Sequence, residues 1–457
     1  TSAAVSMSGG VGALSGSIGV SLSESKVGAG NLGDRAHTTV ATVVGSHLDA
    51  LGDVRVQATA DEDHHVQVAA ASVAVAIGIG VGLAGAGLDA VIENHSTVEA
   101  IVNNSSIYAD GDLTVRTDSR TTVDDSIGGG STGNTMVGTA TSVGLGAIAI
   151  SASLLEADVQ NASRAHITAS EAEVIEALRN LDVDADADVD LTDLNGVGVT
   201  LGVGVVAATG GGLNITLTVA NDVTAKIDMA SRTDRVYAGG NLTVDAYESV
   251  TMTSDIANTS LAAAPIGLAI GAAVMVSRHS SAVTATVADV AASAGDDILI
   301  VAKSDLNIDR ADSTGVTMGT VATTVNTSTA QANATVQAVI QNAQVAATDQ
   351  LDVLSTYDAT VRASTLGVSA GLGAIGAMIA TIEAGKGTSN DSQVTIENKS
   401  DLRGVGITLQ SEIIADLFAK TTAGGGGGGA ATCAVSNLYD SPTAANRVAD
   451  GAATTAH

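Results

Sequence analysis

The chain has 457 residues and a formal net charge of −30, from 49 acidic and 19 basic side chains. Apolar residues make up 45%, too many for a disordered chain, yet there is one Phe, no Trp and five Tyr beside 52 Gly. A core without rings to fill irregular space must be thin and regular, built from Val, Ile, Leu and Ala, and the acidity argues against nucleic acid or anionic lipid as partners.

Along the chain, "GGVGALSGSIGVSL" (9–22) is free of charge and alternates, which predicts a strand. "VATVVGSHLDALGDVRVQA" (40–58) reads as strand, turn, strand. Asp61, Glu62, Asp63, His64 and His65 are residue types that ligate zinc, but neighbouring histidines on a strand point to opposite sides, so a polar turn is expected there. "AAASVAVAIGIGVGLAGAGL" (69–88) is long enough for a membrane-crossing helix. Its period is two, however, and each of Gly78, Gly80, Gly82, Gly85 and Gly87 would cost a helix about 1 kcal/mol. It is expected to be strand, and no transmembrane helix is expected.

"VEAIVNNSSIYADGDLTVRT" (98–117) gives the template of a repeat: a strand, a turn rich in Gly, Asp or Asn, and a second strand with Leu113 and Val115 facing one way. "EADVQNASRAHITAS" (156–170) begins another copy. "SEAEVIEALRN" (170–180) then places Val174, Ile175 and Leu178 on one helical face, which predicts a short helical insertion. In "LDVDADADVDLTD" (181–193), Asp182, Asp184, Asp186, Asp188 and Asp190 share one face of a strand, either a solvated outer face or a row of oxygens for structural calcium. Calcium is the only cofactor this reading allows, and 170–195 is taken as one helical and acidic insertion.

Further copies follow at 223–246, 283–302 and 336–355, and a degraded one at 394–411, with Ala41, Ala100, Ala157, Ala225, Ala285 and Ala338 as equivalent positions. The slot of 69–88 is filled again at 140–155, 196–219, 261–276 and 365–381. At 315–336 the same slot reads "GVTMGTVATTVNTSTAQANATV", a polarity that a span in hydrocarbon could not carry unpaired. "TTAGGGGGGAAT" (421–432) is expected as a flexible linker and 433–457 as an irregular C-terminal segment, leaving 1–420 as the repetitive region. Cys433 is the only cysteine and rules out a disulfide within the chain. No signal-peptide pattern follows Thr1, so the chain reads as a processed product or an excerpt. Asn-x-Ser/Thr triplets at Asn94, Asn161, Asn258, Asn326 and elsewhere are candidate glycan acceptors.

A repeat of roughly 58 residues made of alternating strands predicts an all-β fold, a parallel β-solenoid (β-helix), with an array of small β-sandwiches as the alternative. At about 20 residues per three-sided rung, each repeat would give about three rungs, and two dozen rungs would make a rod on the order of 110 Å long. The "VEAIVNNSSIYADGDLTVRT" copies together with the Gly/Val segments resemble the repetitive β-helix regions of giant bacterial surface proteins, the leukotoxin-type filamentous adhesins. The resemblance covers the chain to about residue 411 and implies a secreted protein of the bacterial cell surface; it carries over no site residue.

The functional expectation is an extracellular structural protein that forms a surface filament, sheath or stalk by stacking β-solenoid units, with itself as partner, end to end or laterally. An adhesin passenger or stalk that binds cell-surface glycans or a host surface is the alternative. A polysaccharide-active β-helix enzyme is disfavoured, because the rings are dispersed and no nucleophile–base arrangement or phosphate loop is readable. No catalytic or cofactor-binding residue is assigned.

Overall fold

The computed structural model describes residues 2–11, 14–28, 37–64, 66–77, 81–123, 136–145, 148–385, 390–397, 399–448 and 453–456. The strands form three parallel sheets, each climbing through eight successive levels. Each level is one turn of a solenoid. A short strand of sheet III (Val174–Ala177) leads by a corner into a long strand of sheet I (Leu181–Val203). That strand folds back as the long strand of sheet II (Val206–Val219, then Asp222–Asp228). The expected β-solenoid is therefore the fold.

The expected number of rungs is corrected. One repeat makes one turn, not three, since residues in hydrogen-bond contact one level apart, backbone N–H to side-chain oxygen, are separated by 53 residues for Gln350 and Asp297 and by 68 for Asn180 and Asp112. The sequence-based estimate assumed sides of ordinary strand length. Here the long strands run to 23 residues, as in Val81–Asn103 and Ile266–Ala288, close to 70 Å at about 3.3 Å per residue. The protein is a broad blade about 34 Å high, from seven steps of about 4.8 Å, rather than a slender rod.

The alternation of apolar with polar residues makes these strands, and the register turns it into ladders. Leu113, Leu181, Leu242, Ile298 and Leu351 are stacked neighbours in sheet I, and Ile167, Ile227, Val287, Ile340 and Ile396 in sheet II. Sheet III closes this wide side with Ile107, Ile175, Val236 and Val345, all fully buried. Toward the turn joining sheets I and II the interior narrows and its residues shrink. A Cβ on Gly196 would lie 3.2 Å from the tips of Leu155 and Ile215, and one on Gly367 would meet the end of Met378 at 1.9 Å. Close approach of the two long sheets thus explains the Gly/Ala/Ser texture of the charge-free segments, which all sit around this narrow turn. Where described they are strands, as expected: 69–77 and 81–88 fall on Val66–Ile77 and Val81–Asn103, and Gly78 and Gly80 lie outside the described residues. Among the described residues no helix is long and apolar enough to cross a membrane.

The helix expected at 170–180 is not formed. Val174–Ala177 is the sheet III strand, paired with Ser106–Ala109 and Arg235–Ala238, with Ile175 and Ala177 inward. A four-residue strand offers too few positions to separate a period of two from 3.6. The segment is therefore an ordinary part of a rung and no insertion. The Gly-rich tract 421–432 is no linker either. It forms the narrow end of the last rung, in Gly406–Gly426 and Gly429–Asp440, and the tail continues as strands Pro442–Val448 and Ala453–Ala456. Among the equivalent alanines, Ala157 is replaced by Ala165, which pairs with Ala100 and Ala225.

Two corners carry their own ladders. Between sheets III and I, Asp53 Oδ1 accepts the Asp112 N–H at 3.0 Å, Asp112 accepts from Asn180 at 3.0 Å, and Asn180 from Asn241 at 3.0 Å. Asn241 in turn accepts from Asp297 at 3.2 Å, and Asp297 from Gln350 at 2.9 Å. Backbone donors that have left the sheets at this corner are thus satisfied by one side chain per rung. Between sheets II and III the chain turns through left-handed residues, Asn104, Asp289 and Asn342 among them, at φ of 46°, 49° and 46°.

Candidate functional site

The acidic row lies on the outer face of sheet I near its wide side. Asp182, Asp184, Asp186, Asp188 and Asp190 all point outward, as the alternation predicts, with Val183, Ala185, Ala187 and Val189 buried between them. Register sets Arg116 of the preceding rung opposite Asp184, and Arg120 opposite Asp188. Arg116 bridges two carboxylates, with its guanidinium 3.4 Å from Asp184 and 2.6 Å from Asp186, and Arg120 stands 3.8 Å from Asp188. On the other side Asp245 is paired with Asp184. Partial burial pushes the carboxyls of Asp184, Asp186 and Asp245 up to about 6, Arg116 opposes the rise, and neighbouring carboxylates add to it.

Successive members of the row are two residues apart, about 6.7 Å along a strand, whereas calcium needs its oxygens at about 2.3–2.6 Å from one point. The row is therefore stitched crosswise by arginine rather than gathered about a centre. Among the described residues, the group whose carboxylates converge, within 4.8 Å of one another, is Asp296, Asp297 and Asp349 at the corner of sheets III and I. Its members come from successive rungs, and no local motif announces the group.

The residues Asp61 to Asp63 are the end of a sheet I strand, Val54–Asp63, and not the expected turn. His65 lies outside the described residues. Glu62 points inward, where Asn94 Nδ2 donates to it at 2.7 Å and His37 Nδ1 stands 3.1 Å away. His64 is buried, with Nδ1 2.9 Å from Ser25 Oγ. Asn94 also reaches Thr121 and Asn161, at 2.6 and 3.2 Å. Asn94, Asn161, Asn258 and Asn326 are all buried and closed to glycosylation in the folded chain.

Sequence reading missed a second interior cluster three rungs further on. Glu248 and His279 are fully buried, with Oε2 and Nε2 3.1 Å apart. Ser304 Oγ donates to the same oxygen at 2.7 Å, and Asn221 Nδ2 to Oε1 at 2.8 Å. Tyr357, also buried, stacks parallel to His279 with ring centres 6.2 Å apart. Burial pushes the Glu248 carboxyl up, and the facing His279 with hydrogen bonds from Ser281 and Ser304 outweighs it, holding the group below its ordinary value. The cluster is sealed from solvent, and the serine hydroxyl is committed to the carboxylate rather than the imidazole. Its arrangement surrounds the Glu248 carboxylate with partners from two sheets and three rungs, while His279 Nδ1 and the Tyr357 hydroxyl are buried without a hydrogen-bond partner among the described residues. The available signal was a Glu and a His at positions where neighbouring rungs carry Ala187 and Val219.

Outside, the blade divides in two. Ion pairs run from its wide side to just past the middle of sheet I, where Arg310 meets Asp255 and Arg362 meets Asp309; the stretch nearest the turn joining sheets I and II carries exposed Val205, Ile266 and Leu372 and is almost free of charge. The chain matches no family model, no curated protein and no solved structure in the comparisons made.

Proposed function

We propose that this chain is a rigid segment of an extracellular filament, sheath or stalk of the bacterial cell surface, in which β-solenoid units stack. The observation that carries the reading is the unbroken register of the ladders through eight levels, each level repeating the one beneath it. Regular interior ladders and corner ladders suit a load-bearing column whose parts contact only their neighbours.

Negative-stain electron microscopy of native material tests the reading. Continuous filaments or lengthwise-stacked blades support it. Separate rods that stand on cells and bind a host surface or a glycan array would favour the adhesin alternative, and isolated compact blades without lengthwise contact would sink it.

A further inference from the structure

On the outer face of sheet II nearest the narrow turn, one outward column sets Ile18, Ile150, Ile270 and Ile375 on the first, third, fifth and seventh rungs, with Gly85, Gly210 and Thr323 between them. Four positions along each strand, a second outward column reads Leu22, Asp89, Leu154, Asn214 and Val274 on the first to fifth rungs. Midway between these columns the outward residues are small, Gly87, Ala152, Gly212 and Ala272 on the second to fifth rungs, with Val20 below them and Val325 above. The result is a trough of about 380 Å³ that runs across the strands. Two polar side chains line it, Asp89 between Leu22 and Leu154, and Asn214 between Leu154 and Val274. In each of them Oδ1 is buried and has no hydrogen-bond partner among the described residues. An acceptor held dry and unpaired is a cost that a donor from outside removes.

We propose that this trough binds a linear aliphatic amine that carries a neutral hydrogen-bond donor farther along its chain. The ammonium group meets Asp89, the alkyl chain lies over Gly87, Ala152 and Gly212, and a hydroxyl or amide N–H meets Asn214. Charge sets this order, because the carboxylate takes the cation in a charge-assisted bond and the neutral amide oxygen takes the neutral donor. Asp89 and Asn214 stand two rungs apart, about 9.6 Å along the axis, and that spacing sets the distance between the ligand's two polar groups.

Size selects a small molecule over a protein. The floor is about 14 Å long, from three steps between rungs, and the columns flanking it are about 13 Å apart, a fraction of the ~800 Å² that each partner of a stable protein complex contributes. The volume falls within the range of small-ligand pockets, and an apolar lining with a few placed polar groups is their usual make-up. The trough opens sideways from the solenoid, so its occupation is independent of lengthwise stacking.

Calorimetric titration of the full chain with aminooctanol, its amine and hydroxyl at opposite ends of the chain, tests the site. Octylamine serves as the probe that lacks the second donor. The expected result is saturable binding, with aminooctanol held more tightly than octylamine. Asp89→Asn should weaken both probes at least tenfold, while Asn214→Leu should weaken aminooctanol severalfold and leave octylamine unchanged. Gly212→Leu should remove both. A Cβ at Gly212 meets nothing within 4 Å, so that variant fills the trough without disturbing its own chain, and circular dichroism checks the folding of all three. Binding that Asp89→Asn leaves unchanged would be the general attraction of a chain of net charge −30 for cations, and would overturn the site. Wild-type chain without saturable binding would overturn it as well. Octylamine weakened as much as aminooctanol by Asn214→Leu would overturn the role given to Asn214.

Discussion

Replacing Glu248 by Ala strands three buried partners at once: His279 Nε2, Ser304 Oγ and Asn221 Nδ2, now 3.1, 2.7 and 2.8 Å from its carboxylate. Breaking a buried charged pair from one side costs about 3–5 kcal/mol, because the remaining groups stay dry and unpaired. His279→Val alone leaves the carboxylate buried without its imidazole and should cost a similar amount. The rung below shows how to remove both, since Ala187 lies under Glu248 and Val219 under His279. Glu248→Ala with His279→Val copies that rung, leaving only Ser304 and Asn221 to find new partners. The double variant should therefore be destabilised by about 2 kcal/mol less than the two singles combined, the coupling expected of residues in one network. Urea unfolding followed by circular dichroism measures each corner of the cycle. The folded carboxyl titrates below its unfolded value, so the pair's contribution is present above the unfolded value and lost as pH falls through the folded one. Single variants costing under about 1 kcal/mol, or additive effects, would refute a coupled buried network.

The acidic row titrates in the opposite sense. Asp184 and Asp245 are raised to about 6, so their contribution is full below the ordinary carboxylate value and lost as pH rises through 6. The wild-type Tm should therefore climb from pH 7 to pH 5 in a thermal scan, and Asp184→Asn with Asp245→Asn should flatten that climb. Arg116→Ala removes the cation shared by Asp184 and Asp186 and should destabilise the chain at pH 7 by about 1 kcal/mol, less at pH 5, read in the same scans. With Arg116 gone, calorimetric titration with calcium should show at most millimolar affinity; tight binding would mean that the row can gather around an ion after all. Leu242→Ala, within a fully buried ladder, should cost about 2.7–5 kcal/mol in denaturant unfolding, as large-to-small core changes do. Gly239→Ala would bring a Cβ within 2.2 Å of the Leu178 carbonyl oxygen, and hydrogen exchange should show that corner opening first.

Much of the fold was legible because it depends on periods. The two-residue alternation of Leu113 and Val115, repeated in Leu242 and Val244, marked both the strands and their inward face, and the repeat marked equivalence between rungs. What escaped depends on contacts across rungs. Rung length could not be read, because "VEAIVNNSSIYADGDLTVRT" spans a long strand, a corner, a short strand and the next long strand, and an alternating pattern does not reveal where a sheet ends. Gly427 and its neighbours read as a linker because their role, letting two sheets close at a narrow turn, exists only once the sheets are stacked. The aspartate row was visible, but Arg116 and Arg120 lie a full repeat away, and their pairing follows from register. Glu248 and His279 meet across the interior from opposite sheets. The ridges of Ile18, Ile150, Ile270 and Ile375 recur only every second rung, a period longer than the repeat itself.

The claim on which the rest depends is that one repeat makes one turn. Spin labels at Thr114 and Thr408, in a chain with Cys433 replaced by Ser, measure it by electron–electron double resonance. The two positions occupy the same outward column of sheet I, linked through Asp182, Thr243, Leu299 and Asp352. Five steps of about 4.8 Å put them near 24 Å apart. A distance near 70 Å would mean three turns per repeat and contradict the blade.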